Sequence, residues 1–156
     1  MRWYQLPIIS CLMIFLVSLS AIGQKYSTPQ KTFEIYKEAA KVGDVNVYLE
    51  CITQASRKLL AGQLPTKEVL QQEYQFLKGK EYSAKQSNDM AIIYFKENTQ
   101  YEPPYLFSRE NNEWKIDLKA MEEKIYFDED NKWFIVGEKE IIPEIEEPHD
   151  FNSIRW

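Results

Sequence analysis

Tyr105-Leu106-Phe107-Ser108-Arg109-Glu110-Asn111-Asn112-Glu113-Trp114-Lys115-Ile116-Asp117 reads as two alternating strands joined by a turn. Tyr105, Phe107 and Arg109 share one face of the first arm. Trp114 and Ile116 share a face of the second, with Glu113, Lys115 and Asp117 opposite. Asn111-Asn112 supplies the turn, because asparagine tolerates the positive φ that a tight hairpin demands of its central residues.

Working outward, Met90 to Phe95 (Met-Ala-Ile-Ile-Tyr-Phe) is apolar on both parities, the pattern of a strand covered on both faces in the middle of a sheet. Glu81 to Gln86 alternates weakly, with Tyr82 and Ala84 on one parity, and Ser87-Asn88-Asp89 marks a turn. Lys96 to Pro104 is polar and ends in Pro103-Pro104, a loop leading to the hairpin.

Before residue 80 the period is helical. Thr28-Pro29 is an N-cap followed by proline at the first helical position. Phe33, Tyr36 and Ala40, flanked by Ile35, Ala39 and Val42, predict a wide buried face. Gly43 stops this helix, and Asp44 caps a second that runs from about Val45 toward Leu59-Leu60, with a break near Thr53. Pro65-Thr66 starts a third, carrying Val69, Leu70, Tyr74 and Leu77 before Gly79. After the hairpin, Asp117 caps a helix with Leu118, Met121 and Ile125 on its buried side, as far as about Phe127. Asp128-Glu129-Asp130-Asn131 breaks the chain, and Lys132 to Val136 suits a short strand carrying Trp133. The predicted fold class is therefore α+β: N-terminal helices packed on an antiparallel sheet, then a short C-terminal helix and an irregular tail.

The first 23 residues differ in kind from the rest. They hold no acidic residue and one basic residue, Arg2, followed by an apolar run from Ile8 to Val17 and by small residues at Ala21 and Gly23. This is the pattern of a secretory signal cleaved before Gln24. The expectation is an exported bacterial protein, periplasmic or secreted. It would have a signal peptide over 1–23, one domain over 24–136 and an acidic C-terminal tail over 137–156. The competing reading keeps Leu6 to Ile22 as an uncleaved membrane anchor. Lipidation at Cys11 fits poorly, since the apolar core follows this cysteine instead of preceding it. Without Arg2, 18 basic residues face 24 acidic ones, a formal charge of −6. That balance, with no contiguous basic patch, argues against nucleic acid and against an anionic membrane surface as partners. Cys51 has no partner within the mature chain, and its helical spacing with Tyr48, Ile52 and Ala55 marks a buried small hydrophobe.

The order of elements resembles the cone-shaped nuclear transport factor 2-like superfamily, most of all its small exported bacterial members. The resemblance covers about Thr28 to Asp117. It rests on Pro-x-x-x-Phe-x-x-Tyr (Pro29, Phe33, Tyr36), Gly43-Asp44 and Tyr48, and on Arg-Glu-x-x-x-Trp-Lys-Ile-Asp from Arg109 to Asp117. It implies a curved, concave sheet wrapped against helices, with a pocket at the open end of the cone. Members of that superfamily include isomerases, dehydratases, polyketide cyclases and non-catalytic domains, so the fold does not transfer an activity. The enzymes resemble one another in placing an aspartate, histidine or tyrosine deep in the pocket. This chain departs from them: its one histidine is His149, in the tail, and Met90 to Phe95 holds no aspartate.

The remaining chemistry is sparse. One histidine and one mature cysteine cannot build a typical zinc site, and Asp128-Glu129-Asp130-Asn131 lacks the glycine and spacing of a calcium loop. No nucleophile with a base, phosphate loop or dinucleotide fingerprint is present, and no cofactor is expected. Acid/base work in a cone would fall to Glu50, Asp44 or a desolvated tyrosine. The pocket candidates are Tyr36, Tyr48, Tyr94, Arg109 and Trp114, with Arg109 suited to an anionic ligand. The expected function is a non-catalytic exported domain that binds a small ligand or a protein, with a small acid/base enzyme and a dimeric interaction module as the other readings. Intact-mass measurement of the exported protein is expected to give a chain that begins at Gln24; a mass that retains Met1 would establish the anchor.

Overall fold

The computed structural model describes residues 25–97 and 100–136; the expected signal peptide and acidic tail lie outside the described residues. The helices form where their caps dictate. The Thr28 side chain accepts from Lys31 N–H at 3.2 Å and opens α1 (Pro29–Val42). Gly43 closes α1 with φ of 73°, a conformation that favours glycine. Asp44 accepts from the Asn46 and Val47 amides and opens α2 (Val45–Cys51). The break near Thr53 is real. Ile52 is extended and bridges Ile116 of the hairpin, and the Thr53 amide donates to Ile116 O at 2.9 Å. Thr53 then caps α3 (Gln54–Leu59), and Thr66 caps α4 (Lys67–Leu77).

The sheet is an antiparallel meander of β1 (Tyr82–Ser87), β2 (Met90–Phe95), β3 (Tyr105–Glu110) and β4 (Glu113–Ile116), in that spatial order. Asn111 and Asn112 take φ of 52° and 64°, both positive as a type I′ turn requires. Their register sets Phe107 opposite Ile116 and Arg109 opposite Trp114. β2 is covered on both faces. Ala91, Ile93 and Phe95 join Phe107, Trp114 and Ile116 against Phe33, Tyr36, Leu70 and Leu77 of the helices. Ile92 and Leu106 meet Ala120 and Ile135 on the other side. The chain is thus α+β in three layers, with helices α1, α2 and α4 on one face of the sheet and a smaller C-terminal layer on the other.

That second layer differs from expectation. The last helix, α5 (Leu118–Lys124), does not reach Phe127; β5 (Ile125–Phe127) pairs antiparallel with β6 (Trp133–Ile135). Ile-Tyr-Phe is β-branched and aromatic, and pairing with β6 outweighs one more helical turn. Asp128-Glu129-Asp130-Asn131 is the loop of this ribbon, where the Asp128 carboxylate accepts from the amides of Asp130 and Lys132. Two buried-face assignments also change. Val42, in the last turn of α1, is 53% exposed. Ala55 is exposed because the extended Ile52 resets the helical phase ahead of α3.

The hairpin makes a stability prediction. Asn112→Val forces a β-branched side chain into left-handed backbone and is expected to cost about 1–2 kcal/mol, whereas Asn112→Gly leaves stability intact. Urea unfolding followed by tryptophan fluorescence checks both.

Candidate functional site

Helix α4 buries Leu70 and Leu77, two turns apart, and exposes Val69 and Phe76. Glu73 falls on the same side as the two leucines, one turn from each. An acidic residue in the apolar stripe of a helix has to find donors, and three other elements supply an environment for this one. Tyr36 from α1 and Tyr105 from β3 both donate to Glu73 Oε1, Tyr105 at 3.0 Å. Tyr48 from α2 lies against Tyr36, with ring centroids 5.0 Å apart, and the rings of Tyr36 and Tyr105 meet edge to face at 5.8 Å.

The electrostatics follow from burial. Desolvation raises the Glu73 carboxyl above its usual range, and the two phenol hydrogen bonds oppose that shift without cancelling it. Burial likewise pushes Tyr48 up to about 12, and holds Tyr36 and Tyr105 well above the ordinary phenol range. All three phenols therefore remain protonated donors at neutral pH. Phe33 packs beside them, 5.0 Å from Tyr105, 6.4 Å from Phe95 and 6.5 Å from Phe107, centroid to centroid. A surface hollow of about 540 Å³ opens where α3 meets the hairpin tip, lined by Gln54, Arg57, Glu110 and others. Neither it nor the hollows beside α4 and Lys25 are lined by Glu73 or its tyrosines.

A second polar cluster lies at the start of the described chain. Lys25 Nζ and the Tyr26 hydroxyl both reach Glu50 Oε2 at 2.8 Å. Lys115, buried, donates to Glu50 O at 2.8 Å, pairs with Glu113 at 2.7 Å and lies 3.6 Å above the Tyr26 ring. Every group here has a partner, so the cluster ties Tyr26 to the sheet edge. Cys51, fully buried beside it, has its thiol pushed up to about 12 by burial, although Lys115 and Lys25 pull the other way.

Of the residues singled out from sequence, Tyr36 and Tyr48 come together at Glu73. Trp114 lies on the same side of the sheet, 3% exposed, and its amide donates to Tyr26 O at 2.8 Å. Arg109 is exposed, its guanidinium 5.8 Å from the Trp114 ring. Tyr94 does not join them. It points to the opposite face, packed against the cluster of Ile92, Leu106, Ala120 and Ile135. Asp44 serves as a cap, Glu50 binds Lys25 and Tyr26, and His149 lies outside the described residues. Sequence reasoning passed over Glu73 and gave Tyr105 only a face. The available signal was Glu73 standing three residues after Leu70 and four before Leu77. Among the described residues no group of three or more His, Cys, Asp or Glu side chains could hold a metal ion.

Comparison with protein-family models, with curated proteins and with solved structures yields no match for this chain. Its chemistry is read from the geometry alone. For Cys51 that geometry predicts inertness: an aromatic disulfide reagent at pH 8 is expected to leave the native thiol unmodified and to label it fully once the chain is unfolded in guanidinium.

Proposed function

We propose that this chain is an exported, non-catalytic domain that binds a protein partner through its outer surface, with the β5–β6 ribbon as the contact. The observation that carries the reading is where the aromatic side chains fall. Phe33, Tyr36, Phe95, Tyr105 and Phe107 pack the space between helices and sheet, which leaves a small ligand little room there. Outside, Tyr126 and Phe127 of β5 are 48% and 51% exposed, and Val136 at the end of β6 is 50% exposed. Tyr126 stacks on Phe134 across the ribbon at 6.0 Å. Aromatic side chains such as these are the ones that protein interfaces favour.

The proposal keeps the nuclear transport factor 2-like resemblance, supported by helices that precede and cover an antiparallel sheet. It keeps export as well. No helix among the described residues is long and apolar enough to cross a membrane. A second reading, a small acid/base enzyme of the same fold, is supported by Glu73, a desolvated carboxyl among three phenols.

Site-specific photocrosslinking in the producing cells tests the interaction reading. A benzophenone amino acid at position 126 or 127 is expected to give one discrete adduct of higher mass, a second copy of the chain or a different protein. The same probe at position 72, on the exposed side of α4, is expected to give none. Adducts equal at all three positions, or absent from 126 and 127, would overturn it.

A further inference from the structure

The hollow of about 540 Å³ between α3 and the tip of the β3–β4 hairpin has walls that hydrogen bonds tie together. The Thr53 amide donates to Ile116 O at 2.9 Å, and the Gln54 amide donates to both carboxylate oxygens of Glu110, at 3.1 and 3.2 Å. The hydroxyl of Ser56, fully buried, accepts from Lys119 N–H at 3.3 Å. These ties set α3 against the hairpin and the start of α5. Gln54, Arg57, Lys58 and Ala61 recur at helical spacing, so one side of α3 and of the turn after it lines the hollow together with Glu110 and Asn111.

The charge of this lining runs against that of the chain. The sequence holds 24 acidic residues against 19 basic ones, and Lys25, Lys37, Lys41, Lys80 and Lys115 each hold a carboxylate within 3.1 Å. In the hollow two cations, Arg57 and Lys58, meet one acid, Glu110, so one positive charge is left over. Glu110 is taken up by the Gln54 amide, and its carboxylate lies 3.8 Å from Arg57 Nη2, beyond hydrogen-bonding distance. Among the described residues no carboxylate pairs with Lys58. The Arg57 side chain is 43% exposed, so its planar fork of donors is accessible.

We propose that this hollow binds a carboxylate, with Arg57 as the bidentate donor, Lys58 as the second cation and the side-chain amides of Gln54 and Asn111 as neutral donors. A guanidinium matches a carboxylate or a phosphate equally well. Charge decides between them: the one surplus positive charge balances a monoanion, whereas the second charge of a phosphate would meet the Glu110 carboxylate uncompensated. Two sources present the group, a free organic acid and an acidic side chain of a protein. The site shares no residue with the β5–β6 ribbon and does not rest on that contact.

NMR of the nitrogen-labelled full chain provides the test. Titration with sodium acetate and, separately, with a blocked peptide carrying one glutamate is expected to move the Arg57 Nε–H signal and the side-chain amide signals of Gln54 and Asn111 along a saturable curve, whereas sodium chloride at equal ionic strength leaves them in place. Saturation by the peptide alone assigns a protein side chain as the source; saturation by acetate assigns a free acid. Arg57→Gln is expected to weaken binding by about tenfold, the loss of one charge-assisted hydrogen bond. Glu110→Gln keeps a carbonyl for the Gln54 amide while removing the repelling charge. It is expected to tighten binding severalfold, and it keeps the test decisive if Arg57→Gln folds poorly. Shifts that fail to saturate with either probe, shifts that sodium chloride reproduces (an adventitious ion only), or an affinity that neither variant alters would overturn the site.

Discussion

The structure depends on the double burial of one strand. β2 carries Ala91, Ile93 and Phe95 on one side and Ile92 and Tyr94 on the other, and its apolar area on both faces must leave water. Such a strand cannot lie at a rim. It requires a hydrogen-bonded neighbour on each edge, which β1 and β3 provide, and a covering layer on each face. The helices α1, α2 and α4 form one layer, and α5 with the β5–β6 ribbon forms the other. Backbone pairing and side-chain burial therefore impose the same arrangement from two directions.

Much of this was legible in the sequence, for local reasons. Caps announce themselves through short oxygen-bearing side chains, so Thr28, Asp44, Thr53, Thr66 and Asp117 all cap where their positions suggest. The Asn111-Asn112 hairpin and the two-sided apolarity of Met90 to Phe95 were equally direct. The ribbon was not. Ile125 sits four residues after Met121 and so continues a helical stripe, and only the partner strand, supplied after a loop, decides otherwise. Tyr94 shows the limit of parity: alternation separates two faces, but it does not tell which face meets the helices in a strand that is apolar on both.

The site was the least legible part because its central residue is of the wrong type for its place. A glutamate on an amphipathic helix reads as solvent-facing, and neither Tyr36 nor Tyr105 signals in sequence that it will meet one. Only the packing of α4 across α1 brings the three together. The polar cluster at Tyr26 shows the contrasting case. There Glu50, Lys25 and Lys115 find opposite charges or carbonyls, and the result is an anchor. At Glu73 the partners are instead two phenols, those of Tyr36 and Tyr105.

Among the described residues the sheet stops at β1, whose outer side carries no further strand. A six-residue strand without proline would ordinarily invite another molecule to extend it, the first step toward fibrils. Near its middle stands Lys85, exposed, opposite Ile92 of β2. A chain that zippered onto this border would have to strip water from the Lys85 ammonium group, or place two of them close together, and either costs free energy.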